Sequence, residues 1–120
     1  MTTTNPNMRV CLQRKRIYLN RVAIGKIGNP KHLSFRYDEQ GGILYFSPAA
    51  PNDLDAYEIP QFYWTGIRKT CEIARIAFLK ALQYRLGWDD GSKYYFEGKM
   101  IEIDDIPTLV YTLTEGKRVR

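Results

Sequence analysis

The chain has 120 residues with a formal net charge of +5, and 44% of its residues are hydrophobic. No apolar run approaches the roughly 20 residues of a membrane-spanning helix, and the first residues lack the apolar core of a signal peptide. We therefore expect one cytoplasmic domain with its own hydrophobic core. The charge is one-sided: residues 1–50 hold eight Lys/Arg and two acids, whereas residues 51–120 hold ten Lys/Arg and eleven acids.

In chain order, residues 8–12 and 17–19 predict two strands joined by a polar turn. Asn20 is a good N-cap for a short helix, which Gly28 is expected to end. Residues 32–38 alternate between apolar and polar side chains, as a half-buried strand does. A turn at Gly41 and Gly42 then leads to a partner strand at residues 43–46. Residues 47–55 contain two prolines and predict a linker.

The second half predicts short extended pieces at residues 56–59 and 70–74, an aromatic turn between them, and a long helix at residues 75–86. The helix has a stripe of apolar residues at spacings of three and four, namely Phe78, Leu79, Leu82 and Leu86. We then predict a hairpin of residues 93–97 and 100–103, a last strand at residues 108–113 and a frayed basic tail at residues 116–120.

The order of elements in the second half is similar to that in the first. Each half predicts a strand, a helix ended by glycine, and antiparallel strands. We interpret residues 8–48 and 56–114 as pseudo-repeat halves of a single domain that spans residues 1–120. The alternative is two unrelated strand–helix–strand pieces, which any small α+β domain can contain.

Nothing in the sequence predicts catalysis or metal binding. The single histidine, His32, has no cysteine or carboxylate cluster beside it, and phosphate-loop, dinucleotide-binding and serine-hydrolase motifs are missing. The adjacent carboxylates at residues 89–90 and 104–105 are typical of solvated turns. Cys11 and Cys71 are expected to be free thiols. We expect a protein that is not an enzyme and needs no cofactor or metal.

The basic residues of the first half predict a partner. Seven of them occur up to position 31 without a single acid, a one-sided charge that suits a polyanion. The predicted nucleic-acid-binding residues are Arg9, Arg14, Lys15, Arg16, Arg21, Lys26 and Lys31. The alternatives are an acidic protein surface as partner, or a solvated basic face with no partner.

Residues 16–48 resemble the AbrB-type DNA-binding domain, the swapped-hairpin fold of transition-state regulators and antitoxins. RIYLN stands where that family has a strand of the form R-I-x-I-P, with Asn20 in place of the proline. RVAIGKIG stands at the family's short helix and HLSFRYDEQGGILYFSP at its hairpin. Two such halves would resemble the tandem MraZ branch. The resemblance implies a dimer or pseudo-dimer that contacts duplex DNA through Arg14, Lys15, Arg16 and Arg21.

These patterns predict a β-rich α+β fold of AbrB-like swapped-hairpin or tandem MraZ-like arrangement. The predicted function is that of a small homodimeric DNA-binding protein, a transcriptional regulator or autorepressor of bacterial, phage or mobile-element origin. The alternative is a phage or mobile-element accessory protein that inhibits a host protein through a basic or aromatic surface. DNA binding requires the basic residues of 9–36 on one continuous face, whereas a partner-binding module would show an apolar patch around residues 62–64.

The aromatic clusters at residues 57–64 and 94–96 allow two uses. Bases of single-stranded nucleic acid stack on such rings where basic residues stand between them. These clusters have few basic neighbours in the sequence, so we expect packing in the core or in a dimer interface instead.

Overall fold

The computed structural model describes residues 5–67 and 69–119, which form ten strands and three α-helices. The strands are β1 (Asn7–Cys11), β2 (Arg16–Leu19), β3 (His32–Asp38), β4 (Ile43–Pro48), β5 (Tyr57–Glu58), β6 (Cys71–Ile73), β7 (Lys93–Glu97), β8 (Lys99–Ile103), β9 (Ile106–Thr112) and β10 (Lys117–Val119). The helices are α1 (Arg21–Lys26), α2 (Gln61–Trp64) and α3 (Ile76–Leu86), and a 3-10 turn covers Leu113–Glu115.

The strands form two antiparallel sheets. Sheet A has the order β10–β7–β1–β2–β6, and sheet B has the order β5–β3–β4–β9–β8. Strands from both halves of the chain are neighbours in each sheet, since β1 pairs with β7 and β4 pairs with β9. The predicted α+β class is therefore confirmed, and the AbrB-like arrangement of these elements stays a prediction.

Each sheet buries one face in a shared hydrophobic core. On β1, Met8 and Val10 are buried while Arg9 between them is exposed, and on β4 Leu44 and Phe46 are buried on either side of Tyr45. Cys11 and Cys71 are buried free thiols, as predicted. The largest fully buried side chains are Tyr63, Tyr111, Phe46, Phe96, Met8, Leu12, Ile17, Leu19, Ile24, Ile27, Leu33 and Leu44.

Local signals place α1 where the sequence predicts it. The Asn20 side-chain oxygen accepts a hydrogen bond of 2.9 Å from the Ala23 backbone amide, which satisfies one of the free donors of the first turn. Gly28 follows the helix at φ +86°, a left-handed conformation that favours glycine. The predicted cap and stop of this helix are both confirmed.

α3 contributes the predicted apolar stripe to the core. Leu79 and Leu82 are buried, and Phe78 and Leu86 pack against the cluster while partly exposed. The Phe78 ring lies 4.9 Å from the Phe35 ring of β3, so the helix contacts sheet B as well as β2.

The predicted hairpin of residues 93–97 and 100–103 is wrong. β7 lies in sheet A and β8 in sheet B, so the chain crosses between the sheets at Gly98. A Cβ atom at Gly98 would lie 2.4 Å from Cε1 of Tyr111, which explains why glycine stands at this crossing. β8 instead pairs with β9 through a turn in which Asp104 and Asp105 have φ values of 52° and 63°.

The predicted frayed tail at residues 116–120 is also wrong for the part that the structure describes. Residues 117–119 form β10, which pairs with β7 from Lys117 opposite Tyr95 to Val119 opposite Lys93. Arg120 lies outside the described residues. The strand was missed because its three residues carry no periodicity of their own, and only the exposed edge of β7 gives them hydrogen-bond partners.

Candidate nucleic-acid interface

The face of sheet A that points away from the core is basic. Along each strand, buried apolar residues alternate with residues whose side chains point outward. The outward residues include Arg9 on β1, Arg16 and Tyr18 on β2, Lys93 and Tyr95 on β7, and Lys117 on β10. Together with Arg14 of the β1–β2 turn, we call this set the basic face.

One row of the basic face crosses all five strands of sheet A. Lys117 lies opposite Tyr95, and Tyr95 lies opposite Arg9. Arg9 in turn lies opposite Tyr18, and Tyr18 lies opposite Glu72 of β6. Side chains paired in this way on one face of a sheet are close neighbours. Two tyrosines therefore flank an arginine, with a lysine at one end of the row and a carboxylate at the other.

The next row is more strongly basic. Lys93 lies opposite Cys11, and Cys11 lies opposite Arg16. Because the Cys11 side chain is only 6% exposed, it forms the floor between the two charged residues. Arg14 joins this row from the turn and lines a shallow groove with Arg9, Tyr18 and Lys93. The groove runs between the two rows and is bordered by positive charge.

Two contacts organise the arginines of the basic face. The Arg9 guanidinium lies 5.3 Å from the centre of the Tyr18 ring, within the range of a cation–π contact. Nη1 of Arg16 donates hydrogen bonds to the carbonyl oxygens of Arg14 (3.3 Å) and Lys15 (3.1 Å). Arg16 thus stabilises the β1–β2 turn as well as contributing charge.

Tyr95 adds a neutral ring to this surface. Burial and the nearby Glu97 carboxylate raise the pKa of Tyr95 above its usual value of 10.0, although a hydrogen bond with the Asn7 side chain opposes the shift. The phenol therefore stays protonated at neutral pH and adds no negative charge between Lys117 and Arg9.

Not all of the predicted binding residues lie on the basic face. Arg9, Arg14 and Arg16 do. Lys26 and Lys31 are exposed in α1 and just before β3, outside sheet A. The Arg21 guanidinium lies 4.6 Å from the centre of the Tyr63 ring and donates a hydrogen bond of 3.2 Å to the Tyr63 carbonyl oxygen, so it holds α2 against α1.

Lys15 points to the end of α3. Its Nζ lies 3.2 Å from Oδ1 of Asp90, in a turn where Lys15 itself has φ +56°. A hydrogen bond from Gln83 and the interaction with Lys15 hold the pKa of Asp90 below its usual value. Because Asp90 is exposed, water screens this pair. Lys15 thus joins the turn to α3.

The expectation of one continuous basic face across residues 9–36 is therefore not met. Arg36 lies on sheet B, where its guanidinium is 5.0 Å from the centre of the Tyr45 ring. The outward face of sheet B also holds the polar side chains of Ser34, Asp38, Ser47 and Lys99. We call the rest of it, which is mainly aliphatic, the aliphatic face: Ile43, Tyr45, Ile101, Ile103, Ile106, Thr108 and Val110. At its border, β8 is an edge strand whose Met100 and Ile101 are both exposed.

Sequence reasoning missed Lys93, Lys117 and Tyr18 as members of the candidate site, and it weighed Tyr95 as a stacking residue but assigned it to packing. The only signal was the alternation in KYYFE, which puts Lys93 and Tyr95 on one face of β7 and Tyr94 and Phe96 on the other. That alternation does not reveal which strand lies beside β7. The pairing of β7 with β1 and β10 brings these residues next to Arg9.

Most of the aromatic side chains pack as predicted. Tyr63 is buried, Tyr57 and Trp64 pack against the core, and Trp88 stacks on Tyr94 at 4.9 Å between ring centres. Of residues 62–64, Phe62 is the most exposed, at 36%, while Trp64 is half-buried. The apolar patch expected there for a partner-binding module is thus reduced largely to one ring. Tyr95 is the exception to core packing, because it lies on the basic face.

Within residues 5–67 and 69–119, no helix is long and apolar enough to cross a membrane. The same residues contain no group of three or more His, Cys, Asp or Glu side chains that could hold a metal ion. Comparison of the chain with protein-family models, with curated proteins and with solved structures finds no match. The resemblance of residues 16–48 to the AbrB-type domain stays a prediction.

Proposed function

We propose that this protein binds nucleic acid through the basic face. The observation that supports this most directly is the joint placement of Arg9, Arg14, Arg16, Lys93 and Lys117 on one side of one sheet. They come from separate parts of the sequence. The carboxylates of the same side, Glu72 and Glu97, stand at its borders. A flat surface with one sign of charge attracts a polyanion and raises its rate of association.

The mechanism is charge neutralisation. Each lysine or arginine that contacts a phosphate releases condensed counterions, so affinity falls as salt rises. Such contacts give affinity and orientation but carry little sequence information. The finer sequence-based expectation, a DNA-binding transcriptional regulator or autorepressor of bacterial, phage or mobile-element origin, stays a prediction, and it requires in addition that the basic face bind a duplex.

The homodimer belongs to the same proposal. Edge strand β8 presents an unpaired backbone and the exposed side chains of Met100 and Ile101, and such edges pair with other strands unless they are covered. Sedimentation at micromolar concentration is expected to show a dimer. A monomer would contradict the dimer and would leave the basic face unaffected.

The experiment that tests nucleic-acid binding reverses two charges of the groove. In the Arg14→Glu/Lys93→Glu variant, we expect binding to labelled mixed-sequence oligonucleotides near 0.1 M salt to weaken by on the order of 100-fold, because two phosphate contacts become repulsive. The slope of log K against log salt is also expected to become shallower. Arg16 is left in place because it also donates hydrogen bonds to the turn.

The matched control is Lys80→Glu/Lys99→Glu, which changes the net charge equally on α3 and β8. These positions lie outside the basic face, and salt screens charges beyond a Debye length of about 10 Å. Their effect is expected to stay within about threefold near 0.1 M salt. Equal losses in the two double variants would mean that total charge, and not this face, drives binding.

The alternative function, inhibition of a host protein, has a weaker basis. Residues 62–64 expose mainly the Phe62 ring, with Trp64 half-buried near it in the sequence, and the aliphatic face lies on sheet B. If the parent protein binds no oligonucleotide at low salt, this alternative becomes the leading one.

A further inference from the structure

We propose that the ligand of the basic face is a single-stranded nucleic acid whose bases stack on Tyr18 and Tyr95. This inference rests on the proposed function, since it requires that the basic face bind nucleic acid. It names the form of the ligand as a single strand, where the sequence resemblance implies a duplex. The recognising chemistry is a set of planar side chains between positive charges.

The planar groups form a ladder across three adjacent strands. Tyr95, Arg9 and Tyr18 are directly opposite one another on β7, β1 and β2. Strands in a sheet are about 4.8 Å apart, so the two tyrosines stand roughly 10 Å from each other. Arg9 stands between them on β1, its guanidinium lies 5.3 Å from the centre of the Tyr18 ring, and this planar group is itself able to stack on a base. A nucleic-acid strand that crosses the sheet thus meets two stacking positions, the Tyr95 ring and the pair of Arg9 and Tyr18.

The charges on either side of the row formed by Tyr95, Arg9 and Tyr18 orient the bound nucleic-acid strand. One neighbouring row holds Lys93 and Arg16, with Arg14 at the turn. The row on the opposite side holds Asn7 paired with Glu97. Phosphates are attracted to the first row and repelled by the carboxylate of the second. The sugar–phosphate chain therefore follows the Lys93–Arg16 row, and the bases extend over the tyrosines toward Asn7.

The width of sheet A disfavours a duplex. Five strands span about 19 Å from the first to the last, whereas the major groove of B-DNA is about 12 Å wide and admits a helix or a two-stranded ribbon. The whole face is therefore too wide to enter the groove, and the bases of a duplex are stacked on each other and cannot reach the tyrosines. A single strand can lie across the sheet with its bases unstacked, as it does on other aromatic sheet surfaces.

The test compares the oligonucleotide affinity of variants that keep an aromatic ring at positions 18 and 95 with that of variants that carry an aliphatic side chain there. Fluorescence anisotropy measures binding of parent protein and variants to a single-stranded DNA, a single-stranded RNA and a duplex of equal length at one salt concentration. We expect the parent to bind a single strand at least about tenfold more tightly than the duplex. Tyr18→Leu/Tyr95→Leu is expected to lose about 100-fold in single-strand affinity, and Tyr18→Phe/Tyr95→Phe to recover most of it because the rings remain.

The matched control is Tyr45→Leu, which removes the tyrosine that lies beneath Arg36 on sheet B and is expected to leave binding unchanged. Circular dichroism establishes that each variant is folded. Whichever single strand binds more tightly identifies the source of the ligand. Equal or tighter binding of the duplex, or parental affinity in the leucine variant, overturns this inference alone. Absence of binding to all three oligonucleotides overturns the proposed function itself.

Discussion

The two sheets use the same local arrangement on their outward faces. On sheet A the Arg9 guanidinium lies 5.3 Å from the Tyr18 ring, and on sheet B the Arg36 guanidinium lies 5.0 Å from the Tyr45 ring. In both cases arginine and tyrosine are cross-strand partners in an antiparallel pair. An arginine over a tyrosine is therefore not by itself a sign of a binding site.

The difference lies in what surrounds the pair. Next to Arg9 and Tyr18 stand Lys93, Arg14 and a second tyrosine. The groove beside Arg36 and Tyr45 is lined by Ser34, Ser47, Ile103, Asp104, Ile106 and Thr108. The first environment adds positive charge and planar rings, and the second adds aliphatic groups and a carboxylate. The proposed function thus rests on the residues that surround the pair on sheet A.

The largest expected effect is a loss of stability on weakening the hydrophobic core that lies beneath both sheets. Leu82 of α3 is 2% exposed within the common core, so Leu82→Ala should lower the free energy of unfolding by about 2–5 kcal/mol. Urea unfolding followed by far-ultraviolet circular dichroism and by tryptophan fluorescence measures this. The two signals should change together. A loss near zero, or separate transitions, would contradict a single core beneath both faces.

The next effect separates the two faces. Arg9→Glu and Arg36→Glu make the same substitution at the same kind of arginine–tyrosine pair. We expect Arg9→Glu to weaken oligonucleotide binding by about tenfold or more, since a contact to phosphate or base becomes repulsive. Arg36→Glu should change affinity little. Equal losses at the two positions would show that the surroundings of the pair do not matter, and the distinction between the faces would fail.

The sequence was sufficient where the determinants are local. Asn20 as a cap, Gly28 and Gly87 as stops, and the turn before β4 were all predicted, because each acts on residues within one or two turns of chain. The charge run near the N-terminus likewise predicted three residues that the structure brings to one face of sheet A, namely Arg9, Arg14 and Arg16; their role in binding stays a prediction.

The sequence was insufficient where partners come from afar. Whether β8 pairs with β7 or β9 depends on the crossing at Gly98 beneath Tyr111, which no local pattern reveals. In the same way, Lys93 and Lys117 become part of the site only through the register of β7 with β1 and β10. In the sequence, the positive and negative charges of residues 51–120 nearly cancel, so this half predicted no basic surface. The pairing of β7 with β1 and β10 nevertheless places two of its lysines, Lys93 and Lys117, on the basic face.

The smallest effect concerns groups buried beneath each face. Under sheet A, burial raises the pKa of the Cys71 thiol from 9.0 to about 12, with a further contribution from Glu72. Under sheet B, burial raises the pKa of Tyr111 above its usual 10.0. Each group stays protonated in the folded protein at a pH where it ionises in the unfolded chain. The contribution of each group to the free energy of unfolding is therefore fully present below its usual pKa. It is lost as pH rises from that value toward the raised pKa of the folded state.

The usual pKa of the Cys71 thiol (9.0) is lower than that of Tyr111 (10.0), so the two sheets are expected to lose stability at different pH values. Between about pH 9 and 10 the unfolded chain ionises Cys71 before Tyr111, so the first loss of stability should come from sheet A. We expect the parent to lose about 1 kcal/mol over this interval, measured by urea unfolding at a series of pH values. Cys71→Ala, normalised to its own stability at pH 7, should lack this early loss and decline mainly at higher pH, where Tyr111 and the other tyrosines with raised pKa values (Tyr57, Tyr63 and Tyr95) ionise in the unfolded chain. Parallel curves for the two proteins would mean that the Cys71 thiol is not protected from ionisation beneath the basic face.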